Sequence, residues 1–363
     1  MSNSILKKHQ STPLSHHSQL PTHHSTTHHS TKFLSFVNVL SISAGLPLAY
    51  QILKTMHIIL GAGGPVANAL TKQFIQANLP VKLVSRSEVN FNNPNVTWQK
   101  ADLTRQAEVI EATKGATVIY MCAGLVYDKD VWKQQWPIIM QNIINAANNA
   151  NARLIFFDNV YMYGLVNGPM LETTPYNPIS VKGEVRAKVA EQLMSEVSTG
   201  NLQASIARAA DFYGAESMNS FFDMMVLDKY AKKEKAMWMG NAQTLHSFTY
   251  VPDAGEAMYL LGQHPEHDNQ IWHLPTAAPL QGKQFIELAA RVFNTKPGYT
   301  AVNKFMLQLL GLFKKTIQGT VEMYYQYDHD YIFNSDKFER AFNVKPTSYE
   351  DGIKHLSQTL FKQ

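Results

Sequence analysis

From residue 57 the chain alternates short apolar runs with segments whose apolar positions recur at helical spacing. The runs cover 57–60, 81–85, 96–99, 117–123, 153–157 and 203–208, each the length of a buried strand. Between them, segments at about 65–77, 105–114, 131–150 and 181–198 read as helices. Val66, Leu70 and Phe74 share one face of the first. Strand–helix alternation with short connections predicts an α/β fold built on a doubly wound parallel sheet. After about residue 210 the alternation decays. Positions 238–251 read as a hairpin, short helices follow, and a late strand is expected at 331–333. The expected organisation is an N-terminal extension over 1–55, a sheet domain over 56–210, and a small C-terminal cap over 211–363 partly interleaved with the sheet.

Ligands in such a sheet lie at the carboxyl ends of the strands, so the residues after each run are where chemistry is sought. The first run breaks into Gly61-Ala62-Gly63-Gly64-Pro65-Val66-Ala67 and opens a helix. Gly61 suits a tight turn, a bare Gly64 lets a pyrophosphate approach the backbone, and Ala67 lets the helix pack close to its strand. The free N–H groups and the helix dipole then favour an anion. Gly61, Gly63, Gly64, Pro65 and Val66 are therefore candidate dinucleotide contacts, and the domain reads as Rossmann-type. The second strand ends at Arg86, where an acid would bind the ribose 2′-hydroxyl of NAD; an arginine suits a 2′-phosphate. The expected cofactor is NADP, with NAD open and a solvated surface arginine as the plainer reading. Asp102 and Leu103 end the third strand and can edge an adenine. Ala123 and Gly124 end the fourth and are small enough for the dinucleotide to cross.

Charge and composition narrow the field. All 28 acidic residues follow position 55, as do all basic residues except Lys7, Lys8, Lys32 and Lys54, so the +4 formal charge belongs to the extension. A neutral body argues against nucleic acid as a partner. The single cysteine, Cys122, excludes an intrachain disulfide framework and fits a cytoplasmic protein; its apolar setting reads as core. Residues 1–31 hold seven of the fourteen histidines in a Ser/Thr-rich tract, without the cysteine or carboxylate spacing of a metal site, and no metal is expected. Residues 33–53 are apolar but interrupted by polar residues, Gly45 and Pro47. Membrane attachment there is the minor alternative to an extension that is dispensable to a fold starting near Met56. No membrane contact is expected of 56–363.

In order and spacing these motifs resemble the extended short-chain dehydrogenase/reductases, the NAD-dependent epimerase/dehydratase group. The resemblance runs through nearly all of 56–363. Asn159-Val160-Tyr161-Met162-Tyr163-Gly164 is similar to that family's Ser-x-x-Val-Tyr-Gly, and Arg208-Ala209-Ala210-Asp211-Phe212-Tyr213-Gly214 to its Arg-x-x-Asn-x-Tyr-Gly. Phe248-x-x-Val251-x-Asp253 and the stretch from Asp336-Lys337 to Pro346 also match. The resemblance implies a Ser or Thr that polarises the substrate oxygen and a Tyr-x-x-x-Lys pair that moves the proton. This chain departs at both. Asn159 stands at the serine position, and Lys182-Gly183-Glu184-Val185-Arg186 where Tyr-Gly-x-Ser-Lys is expected; an alternative register places Gly183 and Ala187 there.

Two accounts follow. In the first, the protein is an NAD(P)-dependent oxidoreductase or epimerase/dehydratase-like enzyme for a small hydroxyl- or carbonyl-bearing substrate. Lys182 is its acid/base and Asn159 its oxygen ligand. Arg186, one turn from Lys182, depresses the lysine pKa by like charge. Tyr161, Tyr163 and Tyr176 are substitute phenols, although Tyr163 also suits packing under the fold. In the second, the chain is a catalytically silent NADP(H)-binding sensor. His246 and the tyrosine run 324–327 suit a substrate pocket, cap packing or the interface of a homodimer.

Overall fold

The computed structural model describes residues 55–214, 220–311 and 319–361. The expectations for the extension, including the span 33–53, lie outside the described residues. Seven parallel strands form the central sheet: β1 His57–Leu60, β2 Val81–Ser85, β3 Val96–Lys100, β4 Val118–Met121, β5 Arg153–Asp158, β6 Ala204–Arg208 and β7 Ile271–His273. Their spatial order is β7-β6-β5-β4-β1-β2-β3, which puts the topological switch point between β1 and β4. Six strands lie where the apolar runs are. β7 is short and ends in a histidine, too weak a pattern to read beforehand.

Helices cover both faces. On one side lie α1 Pro65–Gln76 and α5 Val251–Gln263; on the other lie α2 Gln106–Thr113, α3 Lys129–Ala150 and α4 Val181–Ser198. α3 starts two residues earlier than the periodicity implied, because Asp128 caps it by accepting from the N–H groups of Asp130 and Val131 (2.8 and 3.4 Å). α1 and α5 approach closely through small residues: a Cβ on Gly255 would lie 2.5 Å from Ala69 Cβ. Trp136, Ile143 and Phe156 fill the core on one face, and Phe74, Leu70 and Met258 on the other. Each such burial contributes about 1.5–3 kcal/mol.

The expected hairpin at 238–251 does not form. Ala236–Met239 pairs in parallel with Tyr299–Val302, Leu245–His246 runs antiparallel to Leu280–Gln281, and Phe248–Tyr250 runs parallel to Asp211–Tyr213. A separate aromatic core of Phe222, Trp238, Phe248, Phe285 and Tyr349 holds these pieces. The late strand is Ile332–Phe333, paired with Pro169–Met170. No helix among the described residues is long and apolar enough to cross a membrane.

Candidate active site

The turn after β1 is shaped by close approach. Gly61 has φ +83°, and a Cβ there would lie 2.2 Å from Ala123 Cα at the end of β4, so only glycine fits. Gly63 also has positive φ (+92°). Gly64 is different. Its φ of −75° is open to any residue, and an added Cβ would meet nothing nearer than Gly61 O at 3.6 Å. Here the protein leaves space that it does not itself require. Gly64 is also the N-cap of α1, with Pro65 in the first turn, no acid in that turn and no side-chain cap. Val66 and Ala67 are buried against the sheet. An uncapped helix start beside a bare, unfilled backbone position suits a pyrophosphate, so these residues fit a dinucleotide. Gly124 is exposed, and a Cβ there would meet nothing within 4 Å.

Beyond β2 and β3, Arg86, Gln99, Lys100, Asp102 and Arg105 line an open depression. Arg86 is exposed. Asp102 accepts from Thr104 N and Oγ1 (2.9 and 2.8 Å); these bonds, with the nearby Arg86 charge, hold its carboxyl below the usual range. Its own N–H donates to Glu108 Oε2 (2.8 Å). Leu103 is buried, and its carbonyl accepts from Asn142 Nδ2 (2.9 Å), which anchors this edge of the sheet to α3. Cys122 is buried, which pushes its thiol up to about 12 and leaves it inert at neutral pH.

At β5 the expected catalytic residues meet partners of their own. Arg186 donates from Nε to Asp158 Oδ1 (2.6 Å), with a second guanidinium contact to the same oxygen, and its guanidinium lies over Trp136 and Phe156. Arg208 Nε faces the other Asp158 oxygen at 3.5 Å. The expectation that Arg186 repels the Lys182 ammonium is therefore corrected: its charge is taken up by Asp158. Asn159 Oδ1 accepts from Tyr161 N (3.1 Å), closing a local turn. Tyr163 is buried; its oxygen accepts from Arg208 (2.6 Å) and its hydroxyl donates to His273 Nε2 (2.8 Å), since His273 Nδ1 donates to Asn334 O. Burial pushes Tyr163 up to about 12, so it does not serve as a base at neutral pH.

Lys182 is fully buried. Its Nζ donates to Gly319 O (2.9 Å) and Glu322 Oε1 (2.5 Å), and sits over the Tyr127 ring. Burial pulls its pKa below the usual lysine value, and Glu322 opposes that shift. A side chain at Gly183 would place its Cβ 2.5 Å from Tyr161 O, so in the alternative register no functional group fits there. Tyr127, beside Lys182, begins a tyrosine cluster that brings together Tyr161, His246 and the 324–327 run, which the sequence offered separately. Tyr127 donates to Tyr161 (3.2 Å); Tyr327 and His246 donate to Asp211 Oδ2 (2.5 and 3.3 Å); and His246 stacks between Tyr327 and Tyr331. Burial first, and the Asp211 carboxylate with it, keeps Tyr127, Tyr161, Tyr325, Tyr327 and Tyr331 above the ordinary tyrosine value. These phenols are donors at neutral pH. Among the described residues no three metal-ligating side chains converge.

A doubly wound sheet with a glycine turn and an uncapped helix at its switch point defines a dinucleotide-binding protein. The model of the NAD dependent epimerase/dehydratase family matches residues 57–274, and the chain belongs to that family. Among solved structures it is similar to dTDP-glucose 4,6-dehydratase from Bacillus anthracis in complex with NAD, at 14% identity and a TM-score of 0.69 over 84% of this chain and 96% of that one. It is also similar to the UDP-glucose 4-epimerase of Thermus thermophilus in complex with NAD (15%, 0.67, 84% and 99%) and to the UDP-N-acetylglucosamine 4-epimerase of Bacillus cereus (12%, 0.67, 84% and 96%). No curated protein matches by sequence.

Proposed function

We propose that the protein is an NADP-dependent oxidoreductase or epimerase for a small hydroxyl- or carbonyl-bearing substrate, with Lys182 as the acid/base group. When bound, the nicotinamide supplies or accepts hydride. Gly61, Gly63, Gly64, Pro65 and Val66 hold the pyrophosphate at the α1 N-terminus, while Ala123 and Gly124 leave room for the dinucleotide to cross. Asp102 and Leu103 flank the adenine. Arg86, with Lys100 beside the same depression, binds the 2′-phosphate by charge-assisted hydrogen bonds. Asn159 directs its amide toward the substrate oxygen.

The single observation that carries the chemistry is the buried Lys182 ammonium, set at the start of α4 among tyrosines that stay protonated. Of these groups, a lysine drawn below its usual pKa by burial is the one that exchanges a proton most readily. Sugar-nucleotide chemistry, as named for the structural neighbours, is one substrate class for this edge. A second reading, a silent NADP(H)-binding sensor, draws on the same lysine: Glu322 and Gly319 already occupy its donors. Assay of the purified protein with NADPH or NADP against a panel of carbonyls and alcohols decides between them. Turnover that is lost in Lys182→Ala supports the enzyme. Tight NADP binding with no turnover on any member of the panel supports the sensor.

A further inference from the structure

We propose that Glu322, 140 residues from Lys182 in sequence, is the positioning residue of this site and holds Lys182 as the ammonium that donates a proton to a substrate carbonyl. The proposal rests on the reading of Lys182 as acid/base. Glu322 is engaged at both oxygens: Oε1 accepts from Lys182 Nζ at 2.5 Å, and Oε2 accepts from Val181 N, the first helical N–H of α4, at 3.1 Å. One carboxylate therefore fixes the lysine and the start of its helix together. The backbone carbonyl of Gly319 takes a second ammonium hydrogen, and glycine is required there, since a Cβ would lie 2.6 Å from Tyr127 O.

Two further segments lie near Lys182 and the start of its helix. Asp128 adds a favourable charge and Lys129 an opposing one from the start of α3, Tyr127 presents its ring, and Tyr325 lies against Ser180 at the N-cap of α4. Arg186, on the same helix, is paired with Asp158. Glu322 is thus the carboxylate in direct contact with the ammonium, and without it burial favours the neutral amine. In the reduction direction the proton leaves Nζ for the carbonyl oxygen as the carbonyl carbon takes up hydride from the reduced nicotinamide; the products are an alcohol and a neutral amine. A site holding its lysine charged is set for reduction.

The test is a pH titration of Lys182 Nζ in protein labelled with 15N-lysine, the signal assigned by its loss in Lys182→Arg. A second readout is the pH profile of NADPH-dependent phenanthrenequinone reduction. In Glu322→Gln the Nζ midpoint falls by about one pH unit or more, a tenfold loss of proton affinity, and the limb at which reduction fails with rising pH moves down with it. Glu322→Asp, which keeps the carboxylate, returns both toward wild type and controls for a folding defect in the glutamine variant. An unchanged Nζ midpoint in Glu322→Gln overturns the proposal. So does a shifted midpoint with an unmoved kinetic limb, because Glu322 would then be a structural partner only. Reduction that persists in Lys182→Ala instead overturns the acid/base reading, whatever the midpoint does. Absence of reduction in the wild type overturns the proton-donor role, and the midpoint then decides whether Glu322 holds the ammonium.

Discussion

Two helices begin at the carboxyl edge of the same sheet, and their first turns are treated differently. α1 starts at Gly64 with no side-chain cap and no acid in its first turn. α4 starts at Ser180, whose hydroxyl accepts from Gly183 N (3.0 Å), while Glu322 reaches across to take Val181 N. One helix start leaves its donors without a side-chain cap, the arrangement that suits an anion; the other is filled by the protein's own groups. The same contrast holds for charge. Arg86 stands exposed beside its depression, whereas Arg186 and Lys182 are buried in ion pairs with Asp158 and Glu322. The groups that the proposed dinucleotide site uses at the α1 end are left without side-chain partners. At the α4 end, any chemistry rests on groups already committed to partners, which is why Lys182 and Glu322 have to be considered together.

The largest effect expected from breaking this contrast lies at the closed end. Asp158→Ala leaves Arg186 and Arg208 buried without their carboxylate, and denaturant unfolding should show a loss of about 3–5 kcal/mol. A loss under 1 kcal/mol would mean that the two guanidinium groups do not depend on Asp158. At the open end two neighbouring glycines separate fold from binding. Gly61→Ala combines a left-handed backbone with a collision at Ala123 and should cost about 2–5 kcal/mol. Gly64→Ala should keep the wild-type thermal midpoint yet weaken the dinucleotide at least tenfold by calorimetry, because only the ligand needs that space. If the two variants behave alike, the distinction drawn between them is wrong.

Smaller effects sharpen the picture. Arg86→Ala should remove about 1.5–3 kcal/mol of NADP affinity and leave NAD unchanged. Acid stability reports on the buried histidines. Burial holds His57 down at about 4 and His273 at about 3, so both are neutral in the fold and charge only on unfolding. Their contribution is fully present above pH 6.5 and is lost as pH falls, at about 1.4 kcal/mol per unit for each. Asp253, raised by burial to about 6, works the other way between pH 6 and 3.8 and offsets roughly one histidine. The thermal midpoint should therefore drop below pH 6.5, and His57→Phe, which preserves the ring contacts with Phe74 and Tyr120, should flatten that drop.

How far the sequence revealed this depends on how local each signal is. Six strands and four helices announced themselves because their apolar spacing is written within a few residues. The glycine turn was readable for the same reason. The region 236–302 misled because Ala236–Met239 takes a partner some sixty residues away, and an apolar run does not say which partner it will choose. The same limit governs the α4 site. Lys182, Tyr161 and Asp211 were identifiable by their places in motifs, and His246 and the 324–327 run as pocket candidates, but that they meet, and that Glu322 reaches Lys182, is tertiary and written in no local spacing. Arg186 looked like a neighbour of Lys182 because helical spacing is visible in sequence, whereas its pairing with Asp158 is tertiary.

The central claim is that the uncapped start of α1 holds a nicotinamide dinucleotide and that Arg86 selects its phosphorylated form. Calorimetric titration of the wild-type protein with NADP and with NAD tests it most directly. The account predicts saturable one-site binding, tighter for NADP by tenfold or more, and abolished or greatly weakened in Gly64→Ala. Failure of both dinucleotides to bind, or binding untouched by Gly64→Ala, would contradict it.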